Sequence, residues 1–207
     1  MKKFNPRLYF ITDSSGMDEA EFLGRVEEAL TGGATLLQLR EKDRTTREYI
    51  DLAKKVHKIS AKYNVPLIID DRIDVAIATD AEGVHLGQSD MPVAIARKIL
   101  GDEKIIGATA KTVPQALEAY NQGADYLGVG AIYPTTTKVK TVLTSTETLA
   151  EICAAVPIPV NAIGGLNKDN IGILKGIPIA GICVVSAIMK AENPKVAAEE
   201  LLKELKL

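Results

Sequence analysis

Four stretches of this sequence bring together side chains able to hold anions and a metal ion. The first is Gln38-Leu39-Arg40-Glu41-Lys42. Alternate residues of an extended chain face the same side, so Gln38, Arg40 and Lys42 project together. An amide donor and two cations on one face suit a phosphate or pyrophosphate, and an Arg can grip two of its oxygens. A solvated rim of unrelated charges would have the same composition. The second stretch pairs Ile68-Ile69-Asp70-Asp71-Arg72 with His85-Leu86-Gly87-Gln88-Ser89-Asp90. Two carboxylates, Asp71 and Asp90, completed by waters and phosphate oxygens, make a Mg²⁺ shell. The competing expectation is helix capping, by Asp90 before Met91-Pro92 and by Asp70 or Asp71 before Arg72.

The third stretch runs from Gly128 through Pro134-Thr135-Thr136-Thr137 to Lys138. Its small residues let backbone approach a ligand, its hydroxyls supply donors, and Lys138 brings a mobile positive charge. A flexible polar loop is the plainer reading. The fourth joins Ile163-Gly164-Gly165 to Val185-Ser186-Ala187-Ile188, where two glycines and a serine suit a phosphate cup; the glycines also suit a simple tight turn. The sequence therefore offers two anion sites, Gln38/Arg40/Lys42 with a metal and Gly165/Ser186. His57, among lysines, reads as a solvated surface residue. His85, inside an apolar run, reads as a hydrogen-bonded core residue. Cys153 and Cys183 read as small buried apolar groups, and no Ser-His-Asp arrangement is legible.

Those residues must be positioned by the elements between them. Short apolar runs at 8–12, 35–39, 66–69, 83–86, 104–108, 126–129, 160–163 and 179–185 are rich in Val, Ile, Leu and Tyr. Several are apolar almost throughout, as in parallel strands covered on both faces. Helix signals separate them. Thr45-Thr46-Arg47-Glu48 is a capping box, followed by Tyr49, Leu52, Ala53, Val56, Ile59 and Tyr63 at helical spacing. Thr144 and Glu147 suggest a second box, and Asp18, Thr112 and Asn167 are expected caps. Gly32-Gly33-Ala34, Asn121-Gln122-Gly123 and Lys175-Gly176-Ile177 mark returns from helix to strand. Eight strand–helix units in 207 residues favour one α/β domain over 1–207, a (β/α)₈ TIM barrel. A doubly wound sheet is the competitor, but no GxGxxG follows the first strand. In a barrel the chemistry lies where strands end, which is where all four stretches fall.

Composition narrows the function classes. The chain is 46% hydrophobic and 25% charged with formal net charge −2, so no global basic field attracts nucleic acid or a membrane surface. Two distant cysteines exclude a zinc ribbon or disulfide scaffold. No apolar run is long enough for a membrane span, and none at the N-terminus suggests a signal peptide, so a cytoplasmic location is expected. Small molecules are the expected partners. Oligomerisation is compatible with apolar helix stripes but does not follow from them.

Taken in order and spacing, these motifs resemble those of the thiamine phosphate synthase family over nearly the whole chain. The resemblance implies a (β/α)₈ transferase that joins a hydroxymethylpyrimidine pyrophosphate to a thiazole phosphate, releasing pyrophosphate. It implies Gln38, Arg40, Lys42 and Lys138 on the pyrophosphate, with Arg40, Lys42 and Lys138 as the catalytic cations. It places Mg²⁺ on Asp71 and Asp90, Thr109 near the pyrimidine, and Thr135, Thr137, Gly165, Val185 and Ser186 on the thiazole phosphate. The family commonly has Asn before the metal Asp. Here it is Asp70, which the resemblance puts among the substrate-binding positions, although its carboxylate would repel pyrophosphate unless it binds the metal or points away. Gly107-Ala108-Thr109 stands for the usual Gly-x-Ser, and Val139-Lys140-Thr141 lacks the acidic residue often found there. A thiazole tautomerase of the same fold is the nearest alternative, but Lys111 stands where that branch has its His. A Schiff-base aldolase using Lys138, or a non-catalytic phosphate-metabolite sensor, are further alternatives.

Overall fold

Along each strand, alternate side chains serve two different interiors, and that alternation builds the molecule. In the computed structural model, which describes residues 4–134 and 142–205, eight parallel strands pair in sequence order and close on themselves. They are β1 (Leu8–Ile11), β2 (Leu36–Leu39), β3 (Leu67–Asp70), β4 (Gly83–Leu86), β5 (Ile105–Ala110), β6 (Tyr126–Gly130), β7 (Val160–Ile163) and β8 (Gly181–Val184). Leu8, Phe10, Leu37, Leu39, Leu67, Ile69, Val84 and Ile106 pack outward against the helices in the larger apolar cluster. Tyr9, Ile11, Leu36, Ile68, Ile105, Tyr126 and Cys183 fill the barrel in a second cluster. Both faces are buried, so these strands are apolar in the way parallel strands must be.

The helices are α1 (Glu19–Thr31), α2 (Thr46–Lys62), α3 (Ile73–Thr79), α4 (Val93–Leu100), α5 (Val113–Asn121), α6 (Thr146–Ala155), α7 (Ser186–Met189) and α8 (Pro194–Glu204). The capping box on α2 is present: Thr45 accepts from Glu48 N, and Glu48 accepts from Thr45 N at 2.9 Å. Asp18 and Thr112 cap α1 and α5 as expected. Gly33, Gly123 and Gly176 take φ of 99°, 96° and 85° at the three returns, a region that glycine enters without steric cost.

Several local expectations are corrected. Ser145, one residue after Thr144, caps α6 by accepting from Thr148 N at 3.1 Å. Thr144 is buried and its own N–H is bonded to Ala131 O at 2.8 Å, a tertiary contact that shifts the cap by one residue. Asn167 accepts from Asp169 N and opens a turn, and only a short 3₁₀ helix at Ile171–Leu174 follows β7. His57 is partly buried, with Nδ1 3.2 Å from Thr79 O and Nε2 3.0 Å from Glu82 Oε1. It ties α2 to the end of α3 and to Glu82 just before β4 rather than lying free in solvent. Cys183 is buried as expected, but Cys153 is only partly so.

Two inward glycines determine what fits inside the barrel. A Cβ at Gly107 would fall within the Tyr126 ring, and one at Gly128 would come 3.3 Å from His85 Cε1. Gly107→Ala should therefore cost about 3 kcal/mol through overpacking. Gly24→Ala, on α1 with open space around it, should instead gain about 0.5–1 kcal/mol. Urea midpoints of the two variants check the contrast.

Candidate active site

At the C-terminal ends of the strands lies a cleft of about 350 Å³. Its lining includes Gln38, Arg40, Lys42, Asp70, Asp71, Asp90, Thr109, Gly165, Val185 and Ser186. Every sequence-predicted site residue that is described therefore borders one space. Thr135, Thr137 and Lys138 lie outside the described residues.

On one side, the ends of β2, β3 and β4 bring charges together. Lys42 Nζ donates to Asp70 Oδ2 at 2.7 Å and also to Asp71 Oδ2. Arg40 Nε stands 3.8 Å from Asp70 Oδ2. Consecutive strand residues point to opposite faces, yet one ammonium reaches both carboxylates. The reason is that Asp71 leaves the strand with φ +59°, in the left-handed region that Asp tolerates better than most residues. Its N–H is fixed to His85 O at 2.9 Å. Asp90 Oδ2 accepts from Gly87 N at 2.7 Å, which aims its carboxyl back at Asp71, and the two carboxyls share a hydrogen bond. The capping alternative does not hold: α3 and α4 begin after Arg72 and Pro92 with no side-chain cap.

The charges set one another's protonation. Burial opposes the Lys42 charge, but the Asp70 charge and the bonds to both aspartates outweigh it and raise the ammonium pKa. Burial, and then the Asp71 charge, push Asp70 up to about 6 against the pull of Lys42. Burial also works against ionised Asp71, yet its bonds to Lys42 and Asp90 bring the net shift downward. Burial and the bond to Asp71 raise Asp90. Once the hydrogen between them is lost, Asp71 and Asp90 offer hard oxygen donors side by side. That donor set fits Mg²⁺, which keeps waters and takes phosphate oxygens as its remaining ligands. Among the described residues no cluster of three His, Cys, Asp or Glu forms a complete protein cage.

Across the mouth are the ends of β7 and β8. Gly164 and Gly165 have φ of 104° and 64°. Side chains there would collide with Ala131 and Tyr133, so the two glycines let this turn close on the segment after β6. Tyr133 N donates to Gly164 O at 3.0 Å, and Asn170 Nδ2 to Gly165 O at 2.9 Å. Val185 precedes the short α7 and Ser186 opens it.

Gln38 lies one layer below Arg40. It is 2% exposed, and its amide nitrogen donates to Tyr9 Oη at 2.6 Å. His85 is hydrogen-bonded as expected, but it also lines the cleft, as do Tyr9, Lys111 and Ser89. Sequence reasoning missed the two tyrosines at 9 and 126 because an aromatic in an apolar strand reads as packing. The available signal was parity, since Tyr9 and Gln38 sit on the inward face of paired strands.

Cations, paired carboxylates and a glycine turn thus gather at the C-terminal mouth of a closed (β/α)₈ barrel, the face on which such barrels build their ligand sites. Residues 8–188 match the family model described as thiamine monophosphate synthase. Thiamine-phosphate synthase 2 of Streptococcus pneumoniae is 52% identical over 96% of this chain and 95% of its own. Thiamine-phosphate synthase of Methanobrevibacter smithii is 50% identical over 100% and 98%. A solved thiamine phosphate pyrophosphorylase from Pyrococcus furiosus superposes with TM-score 0.88 at 42% identity, covering 97% and 95%. A 3-hexulose-6-phosphate synthase, 15% identical with TM-score 0.73, shares the fold. The chain belongs to the thiamine monophosphate synthase family, and it is an enzyme, a transferase.

Asp70 gives a direct test of the site's electrostatics. An unfolded Asp titrates near its ordinary value of about 3.9, below the folded value. The folded state thus binds the extra proton, and the Asp70 contribution to stability falls as pH rises through about 6. Asp70→Asn should be the more stable form above that pH and lose the advantage towards about pH 4. Urea unfolding across that range measures it.

Proposed function

We propose that the cleft joins a hydroxymethylpyrimidine pyrophosphate to a thiazole phosphate, forming thiamine phosphate and releasing pyrophosphate. The observation that carries this reading is the division of the mouth. Arg40, Lys42 and the Asp71–Asp90 pair line one side, and Gly165 with Ser186 lines the other. Two phosphorylated reactants would then meet between them. The bond from the pyrimidine methylene carbon to pyrophosphate breaks with its electron pair leaving on oxygen, and the aminopyrimidine ring delocalises the cation left behind. The thiazole nitrogen lone pair then forms the new C–N bond. No protein nucleophile or proton transfer is needed, so the protein's work is positioning and charge stabilisation.

Arg40 and Lys42 neutralise the leaving pyrophosphate. Lys42 keeps Asp70 and Asp71 as partners and still has its third ammonium hydrogen to offer, which makes an acidic residue at position 70 compatible with an anionic substrate. Lys138, Thr135 and Thr137 belong to the same reading, as further pyrophosphate and phosphate contacts. Asp71 and Asp90 would hold Mg²⁺, which supplies charge neutralisation to the departing pyrophosphate. Ser186, Val185 and Gly165 bind the thiazole phosphate, and Thr109 faces the pyrimidine. The partners are these small molecules. No helix among the described residues is long and apolar enough to cross a membrane.

Pyrophosphate release should require both substrates and Mg²⁺ together. Release with either substrate omitted, or binding of both without release, would overturn the assignment. Asp71→Ala should abolish Mg²⁺-dependent turnover while circular dichroism shows the fold retained. Ser186→Ala should raise the KM for thiazole phosphate about tenfold, the worth of one charged hydrogen bond, and leave kcat nearly unchanged.

A further inference from the structure

Five side chains from five strands form one unbroken hydrogen-bonded chain through the barrel beneath the cleft. Gln38 Nε2 lies 2.6 Å from Tyr9 Oη, and Tyr9 Oη 2.7 Å from Tyr126 Oη. Tyr126 Oη lies 3.1 Å from His85 Nδ1, and His85 Nε2 3.0 Å from Thr109 Oγ1. The space is built for it, since Gly107 leaves room for the Tyr126 phenol and Gly128 for the imidazole. Within the described residues the Thr109 hydroxyl has no other partner, and it borders the cleft.

The chain has a direction. An amide nitrogen only donates, so Gln38 fills the Tyr9 oxygen as an acceptor and the Tyr9 hydrogen goes to Tyr126. The Tyr126 hydrogen then goes to His85 Nδ1. A neutral imidazole that accepts at Nδ1 carries its hydrogen on Nε2, and this one donates to Thr109 Oγ1. The last hydrogen in the series, that of Thr109, is left pointing out of the relay.

We infer that Gln38, Tyr9, Tyr126 and His85 are positioning residues that make Thr109 a committed hydroxyl donor into the cleft, aimed at an acceptor nitrogen of the pyrimidine ring. The inference rests on the proposed pyrimidine substrate for its ligand, but not for its polarity. A free threonine hydroxyl rotates and donates or accepts equally; one held by a bond from His85 has a fixed oxygen, and its hydrogen is the group that no partner in the relay consumes. The relay thereby selects heterocycles with a lone pair at that place over analogues with C–H there, and it holds the ring in one orientation while its methylene carbon reacts.

The chain has two histidines, so ¹⁵N spectra of the ligand-free full chain at alkaline pH resolve the tautomer, with His57→Gln assigning the signals. The expected result is His85 protonated at Nε2, with the Nδ1 signal moving downfield in Tyr126→Phe and, by less, in Tyr9→Phe. These two variants each remove one hydroxyl and keep the ring, so either alone suffices if the other does not fold. Hydrogen on Nδ1 in the wild type, or a His85 signal indifferent to both variants, overturns the relay. In turnover, Tyr126→Phe and Thr109→Val should each lower kcat about three- to tenfold, as expected for one misdirected hydrogen bond. The KM for thiazole phosphate should be unchanged, and the double variant no worse than Thr109→Val alone. Fully additive losses overturn the coupling. An Nε2–H tautomer in a chain that releases no pyrophosphate would instead sink the proposed reaction and leave the relay standing.

Discussion

Three carboxylates crowd one corner of the barrel mouth, and the Lys42 ammonium is what allows them to stay there. It bonds Asp70 and Asp71 together, while Asp71 touches Asp90. Without a cation, like charges would face one another in a partly buried place where water screens poorly. A strand alone cannot make this arrangement, because consecutive residues diverge. The left-handed turn at Asp71 swings the second carboxylate back to the same lysine. Such backbone is sparsely populated and is found where surrounding contacts enforce it, as the bond from Asp71 N to His85 O does here.

The interior beneath that corner works by a different rule. Tyr9, Tyr126 and Gln38 are fully or almost fully buried, and a buried polar group is costly unless bonded. Each of these has its partner within the chain that reaches His85 and Thr109. Burial raises both tyrosine pKa values well above the ordinary phenol range, keeping them as neutral hydroxyls that can donate and accept. Charges at the rim can respond to ligands, whereas the floor is held by packing and by bonds across five strands.

Much of this was legible in single residues. Period-two parity places Gln38, Arg40 and Lys42 on one face, and in the folded barrel all three border the cleft, Gln38 lowest. Capping chemistry located Thr45, Asp18 and Thr112 because those bonds close within three residues. It misplaced the α6 cap, where Thr144 and Ser145 are chemically alike and a distant carbonyl, Ala131 O, decided between them. His57 was misread for the same reason: its partners Thr79 and Glu82 lie on other elements. Asp70, acidic where the family commonly has Asn, is paired with Lys42 across 28 positions of sequence, a contact that no local reading supplies.

The sequence by itself determined the order of eight strands and their helices, the inward parity of the site residues, and the family. These depend on periodicity and motif spacing, which are properties of the chain read locally. Tertiary structure alone decided that Asp71 meets Asp90, that one lysine serves two aspartates, and that Gln38 speaks to Thr109 through three aromatic side chains. Hydrogen bonds between residues tens of positions apart exist only once the strands have paired and the barrel has closed, because only then do their side-chain donors and acceptors come within about 3 Å of one another.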